Sequence, residues 1–373
     1  MSGSMFYILG GGPSLDYFDW SSLDGRNTIG INAAWMRRPA GYHIVKDVRL
    51  IQMYGDRMPD GTYFVQRGQE AYPRMVPLRE RAKWSDAIED GVLVGDSTAV
   101  SAMNLAVMLG AKRIVMLGFD GGFHSGKSHW HSADGFYPDE WAQPEEKYAA
   151  HRREILALAG WIYQHRHVPV DLVDVSEPVY VTAYTPEYAI RAVTLGESLR
   201  EFGISENRFE SYAYESSGSW AKNCCVKPSI ILRAMNEYWP RPVVWLDADA
   251  RLCGKPDLFR SLYWEGADFA AHTRSSRRKC FDGELLSGTL WFANNARSHA
   301  LCSAWGNRCA LDPDAFDQRH LAAAITDDHD VRIERLPESY CAFDLVMLDH
   351  PETVPVIWHE QASRTLKAVV DHE

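Results

Sequence analysis

Two carboxylates separated by one alanine, Asp247 and Asp249, close the apolar run Pro242-Val-Val-Trp-Leu-Asp-Ala-Asp-Ala-Arg-Leu252. Read as a buried strand, the run has a side-chain period of two, so both acids project to one side while Ala248 points away. Two such carboxylates about 4 Å apart repel by roughly 1 kcal/mol in water and about 4 kcal/mol in a partly buried site. The arrangement invites a cation, and hard oxygen ligands suit Mg2+ or Mn2+. The alternative is a strand that ends in an Asp-rich turn with no chemistry. A second concentration of reactive side chains is the loop Gly121-Gly-Phe-His-Ser-Gly-Lys-Ser-His-Trp-His131, which holds His124, His129, His131 and Lys127. Imidazoles there could serve as general acids, phosphate ligands or metal ligands, against the plainer reading of a solvated loop.

The elements around that loop alternate strand and helix. Phe6-Tyr-Ile-Leu9 opens directly into Gly10-Gly-Gly-Pro-Ser-Leu15. A glycine-rich turn after a strand lets backbone N–H groups approach a phosphate with no Cβ in the way, although the spacing is not that of a dinucleotide fingerprint. Thr28-Ile-Gly-Ile31 ends at Asn32, a polar group at a strand's carboxyl end, where open α/β sheets bind ligands. Ser97 reads as an N-cap, Thr98 to Leu109 as a helix and Gly110 as its stop. Arg113-Ile-Val-Met-Leu-Gly118 reads as a buried parallel strand closing at Phe119-Asp120. A helix near Glu145 to His165 and the strand Val170 to Val175 complete a βαβ organisation, with the boundary at Ser176-Glu-Pro178.

Bulk properties narrow the function classes. A chain of 373 residues exceeds one typical core and predicts two or three domains. A formal charge of -11 argues against broad polyanion binding. The seven cysteines include no C-x-x-C, which excludes a zinc ribbon or a redox motif. An odd count without a signal peptide favours reduced thiols in a cytoplasm. The longest apolar stretch, near Ala99 to Leu109, is too short to span a bilayer.

In the first half, Gly11-Gly-Pro-Ser-Leu15, Asn32, Gly95-Asp-Ser-Thr-Ala-Val-Ser-Ala-Met103, Leu117-Gly-Phe-Asp120 and Ser128-His-Trp-His131 resemble a group of known proteins. That group contains the 6-hydroxymethylpterin diphosphokinase-like proteins, motility accessory factors and bacterial sialyltransferase-like folds, and the loop is similar to phage-type members. The resemblance implies a Rossmann-like nucleotide-binding domain over residues 5–177, with Gly11, Gly12, Ser14 and Asn32 at the nucleotide. It leaves diphosphate transfer and glycosyl transfer both open.

Residues 178–373 resemble the GT-A nucleotide-diphospho-sugar glycosyltransferases. The order that carries the resemblance is Val179-Tyr-Val-Thr-Ala-Tyr184, a helix from Glu187 to Phe202, Lys227-Pro228 before a helix, then Asp247-Ala-Asp249. Leu286-Ser-Gly-Thr-Leu-Trp-Phe292, Asp317-Gln318 and Val356-Ile-Trp-His359 follow. The resemblance implies Thr182, Ala183 and Tyr184 around the base, and a Mn2+ or Mg2+ held by Asp247, Asp249 and His359. It further implies Lys222 or Lys227, with the run Arg274 to Lys279, near the phosphates, and Ser287, Gly288 and Asp317 at the sugar or acceptor. A breaking C–O bond loads negative charge on the diphosphate, which a cation neutralises.

The expected protein is therefore α/β, with two Rossmann-like domains, the second of GT-A type. It transfers a sugar from a nucleotide-sugar donor to an acceptor that could be a glycan, a small molecule, a protein or a modified nucleic acid. Two alternatives stay open: pyrophosphoryl or sialyl-type transfer in the first domain, with His129 and His131 as catalytic groups, and a module that binds nucleotide or glycan without turnover.

Overall fold

A computed structural model describes residues 4–65, 75–77, 97–120, 145–274, 284–327 and 330–361. The chain divides into two compact units, Met1–Val175 and Ser176–Glu373. The α/β class expected from the sequence holds in both.

The first unit carries a parallel sheet of seven strands: β1 (Met5–Leu9), β2 (Asn27–Ile31), β3 (Tyr42–Val45), β4 (Thr62–Val65), β5 (Met75–Pro77), β6 (Arg113–Leu117) and β7 (Val170–Val173). Their order is β5-β4-β3-β2-β1-β6-β7. Alternation along the strands sends Phe6, Ile8, Ile29, Ile114 and Met116 to a face covered by the helices Thr98–Met108 and Glu145–Arg166. Val45, Tyr63 and Val65 pack on the other side with Trp35, Leu50 and Ile51. Ser97 caps its helix as expected, its side chain accepting from Val100 N–H, and Gly110 ends it with φ of 82°.

The second unit carries a mixed sheet of six strands ordered β14-β12-β13-β10-β8-β9. These are β8 (Val179–Tyr184), β9 (Phe209–Ala213), β10 (Val243–Leu246), β12 (Phe269–Thr273), β13 (Leu285–Phe292) and β14 (Ile333–Arg335). Strand β13 runs antiparallel to β10 and β12, and the other pairs are parallel. The small strands β11 (Ala250–Leu252) and β15 (Ile357–His359) form a separate antiparallel pair. Val181, Ala183, Val243, Trp245, Phe269 and Phe292 make one apolar face against the helices Lys227–Glu237, Ala296–Leu311 and Asp317–Asp327. No helix among the described residues is long and apolar enough to cross a membrane.

Candidate active site

Strand β10 stops at Leu246, one residue short of the acids. The backbone then turns, Ala250 N–H donating to the Asp247 carbonyl at 2.9 Å, so Asp247-Ala-Asp249 occupies a tight turn rather than the strand itself. This corrects the expectation that strand alternation aligns the two carboxylates. Asp247 still follows the period, lying two residues beyond Trp245 and accepting from its Nε1–H at 2.9 Å. Asp249 is placed by the β11–β15 pairing instead, in which Ala250 stands opposite His359 and Glu360 N–H donates to the Asp249 carbonyl at 3.0 Å. The turn and the late strand thus bring together residues more than a hundred positions apart.

Lys227 opens its helix, where Pro228 is tolerated because the first turn needs no intrahelical N–H. Its side chain is buried, with Nζ 2.9 Å from Asp247 Oδ1 and 3.4 Å from Asp317 Oδ2. Ser287 supplies further oxygens at 3.2 and 3.4 Å, and its hydroxyl donates to Asp317 Oδ2 at 2.7 Å. Burial works against this ammonium, but Asp247 and Asp317 outweigh it and hold its pKa well above the ordinary lysine value. Burial likewise opposes the Asp247 carboxylate, yet Lys227 and His359 leave its pKa below the usual range. Asp317 begins a helix, where a carboxylate is favoured by the aligned peptide dipoles.

His359 is buried, and burial keeps its pKa below the ordinary value against the pull of Asp249 and Asp247. Nε2 lies 2.8 Å from Thr289 Oγ1. With the proton on Nε2 and donated to Thr289, Nδ1 presents its lone pair toward Asp249 Oδ1, 4.0 Å away. Two atoms that each lie about 2.1 Å from one octahedral ion are separated by roughly 3 to 4.2 Å, so this spacing suits shared coordination. A Cβ built on Gly288 would lie 3.2 Å from His359 Nδ1 and 3.5 Å from Asp247 Oδ2. The missing side chain at position 288 therefore leaves open the space that these two atoms face. Asp247, Asp249 and His359 offer carboxylate oxygens and an imidazole nitrogen, donor types that Mn2+ or Mg2+ accepts. Among the described residues no group of three or more His, Cys, Asp or Glu side chains is drawn together closely enough to hold a metal ion as it stands.

These groups line one open pocket of about 800 Å³ at the carboxyl ends of β8 and β10. Tyr184, Lys227, Asp247, Asp249, Ser287, Gly288, Asp317 and His359 all border it. Thr182 does not: it is fully buried on the sheet face opposite Val181 and Ala183, and its hydroxyl has no hydrogen-bond partner. The pocket wall continues instead through Thr185 and Tyr188. Lys222 is partly exposed and pairs with Asp314 at 3.5 Å, which leaves Lys227 as the site's lysine. Arg274 borders the pocket, and the remainder of its basic run lies outside the described residues. Trp245 was not legible as a site residue, although its position two before Asp247 was the available signal.

The glycine turn of the first unit is used differently from the phosphate cradle expected. Gly10 N–H donates to Leu117 O and Gly12 N–H to Gly118 O, both at 2.8 Å. Ser14 donates to Asp120 from its backbone at 2.8 Å and from its hydroxyl at 2.6 Å. A Cβ on Gly10 would sit 2.4 Å from Gly118 O, and one on Gly12 would sit 2.6 Å from both Gly118 O and Asp120 Oδ2. These glycines let the end of β1 approach the end of β6, and their N–H groups point into the protein. Gly11 remains at the turn, and Asn32, with φ of 45°, accepts from Lys46 N–H at 3.3 Å. His124, His129 and His131 lie outside the described residues.

No protein-family model and no curated protein matches the sequence. Among solved structures, the chain is similar to a glycosyltransferase involved in glycosylation of the major capsid of PBCV-1, with TM-score 0.38, 12% identity, and coverage of 49% of this chain and 92% of that one. It is similar to the galactosyltransferase LgtC in complex with donor and acceptor sugar analogs, with TM-score 0.33, 12% identity, and coverage of 50% and 87%. It is also similar to the glycosyltransferase GlyE of Streptococcus pneumoniae TIGR4, with TM-score 0.32, 15% identity, and coverage of 50% and 56%. These neighbours are glycosyltransferases.

Proposed function

We propose that the second unit is a metal-dependent glycosyltransferase that moves a sugar from a nucleotide-sugar donor to an acceptor. The observation that carries this reading is the convergence of Asp247, Asp249, His359, Lys227 and Asp317 on one pocket at the carboxyl ends of parallel strands. A bound Mn2+ or Mg2+ would supply positive charge to the diphosphate as the C–O bond to the sugar breaks. Asp247, Asp249 and His359 would hold it. Lys227 adds a fixed positive charge beside Asp247, kept in place by Asp317 and Ser287. Asp317 acts here as the buried counter-ion of that ammonium, its Oδ2 already accepting from Ser287. Tyr184 and Ser287 border the volume for the donor, on opposite strands of the sheet.

The test is a thermal-shift screen of the whole chain against nucleoside diphosphates and nucleotide sugars, with and without Mn2+. A ligand at a hundred times its Kd adds about 2.7 kcal/mol of stability. The expected result is a stabilisation that needs metal and nucleotide together and disappears in Asp249→Asn. Stabilisation by nucleotide alone that survives Asp249→Asn would reject the reading.

A further inference from the structure

We infer that Trp245 is a positioning residue for the cation site, fixing which oxygen of Asp247 is available to a metal. The inference rests on the glycosyltransferase reading above and extends it to a residue that acts through Asp247. Asp247 Oδ1 receives two N–H donors, Trp245 Nε1 at 2.9 Å and Lys227 Nζ at 2.9 Å. One carboxylate oxygen offers about two lone-pair directions, so Oδ1 is filled. Oδ2 is left facing the open space at Gly288, on the side of His359 Nδ1.

The two donors differ in how many partners they serve. Lys227 divides its ammonium among Asp247, Asp317 and Ser287, whereas the Trp245 N–H is directed at Asp247. Trp245 is buried within β10, and its planar indole is packed in the sheet's apolar face. Its N–H direction is therefore set by the strand, and the two-residue period aims it at Asp247. With Oδ1 engaged by both donors, Asp247 would bind a cation through Oδ2 alone, on the side of His359. Outer partners of this kind typically change metal affinity by 10–100-fold when removed.

Trp291 supplies a control. It lies opposite Val244 on β13, it is fully buried, and its indole nitrogen has no hydrogen-bond partner among the described residues. Trp245→Phe and Trp291→Phe thus lose the same ring portion from adjoining strands, but only the first loses a bond to Asp247. The experiment is Mn2+ binding to the full chain, read by electron paramagnetic resonance of free Mn2+, for wild type, Trp245→Phe, Trp291→Phe and Asp249→Asn. The expected result is an affinity about tenfold lower in Trp245→Phe, at the low end of the range above, and unchanged in Trp291→Phe. Equal affinities in wild type and Trp245→Phe overturn the inference, as does an equal loss in both tryptophan variants, which would assign the effect to packing. Absence of binding to wild type, or binding indifferent to Asp249→Asn, overturns the metal reading itself. Should Trp245→Phe fail to fold, the indole N–H resonances of the 15N-tryptophan-labelled wild type give the second readout. One must shift on adding Mg2+, and a spectrum with none shifted overturns the inference.

Discussion

Replacing Lys227 with methionine removes one charge and keeps most of the side-chain volume. In the wild type the ammonium lies 2.9 Å from Asp247 and 3.4 Å from Asp317, with 8% of its side chain exposed. Removing one partner of a buried ion pair costs roughly 3–5 kcal/mol, because the remaining charge is stranded. Asp247 keeps 34% of its side chain exposed, so water screens part of the loss and the low end, about 3 kcal/mol, applies. Unit Ser176–Glu373 is of a size for which 1 kcal/mol moves Tm by roughly 2–4 °C, giving a fall of about 6–12 °C. The sign of the pH dependence follows from both partners. The depressed pKa of Asp247 contributes stability above its unfolded value of about 3.9, and that contribution is lost as pH falls through the folded value. The raised pKa of Lys227 contributes below its unfolded value of about 10.4 and is lost as pH rises through the folded value. The gap between wild type and Lys227→Met should therefore be flat from about pH 5 to 9 and narrow below about pH 4. Calorimetry of the unliganded proteins across that range measures it. A gap independent of pH, or Lys227→Met as stable as wild type at pH 7, would refute the charge argument.

Three other perturbations test separate parts of the structure. Gly288→Ala places a methyl group 3.0 Å from His359 Cε1, 3.2 Å from its Nδ1 and 3.5 Å from Asp247 Oδ2, so the imidazole must shift; Mn2+ affinity should fall at least tenfold by titration calorimetry. Gly10→Ala would set a methyl 2.4 Å from the Gly118 carbonyl, a backbone atom that cannot yield cheaply, and should destabilise the first unit by roughly 1–3 kcal/mol in a denaturant melt. His43 is buried beneath stacked Tyr63, and burial lowers its pKa to about 4, while Ala40 N–H donates to its Nε2 at 3.0 Å. A lowered histidine pKa contributes stability above its unfolded value of about 6.5, lost progressively as pH falls toward 4. The first unit should weaken over that window by on the order of 3 kcal/mol, and His43→Gln should flatten the profile measured by hydrogen exchange.

The readings that succeeded from sequence were local. Ser97, the helix after it and Gly110 are set by contacts within one or two turns, so capping chemistry sufficed to place them. The apolar run before Asp247 likewise announced a buried strand, since alternation and burial are written into neighbouring residues. Where that strand stops was not local. The turn at Asp247 depends on β11 pairing with β15, a contact with His359 across more than a hundred residues. Thr182, which the resemblance implied beside the base, lies on the sheet face away from the pocket, and a strand's alternation alone does not say which face meets it. Gly10 and Gly12 advertised conformational freedom, but only the neighbouring β6 showed that the freedom serves strand approach rather than an anion. The sequence by itself determined that Lys227, Asp247, Asp249, Asp317 and His359 were present, in an order that resembles a GT-A transferase. Tertiary structure decided that Lys227 bridges Asp247 and Asp317 and that Trp245 occupies an oxygen of Asp247, because hydrogen bonds between distant segments exist only once the sheet has closed.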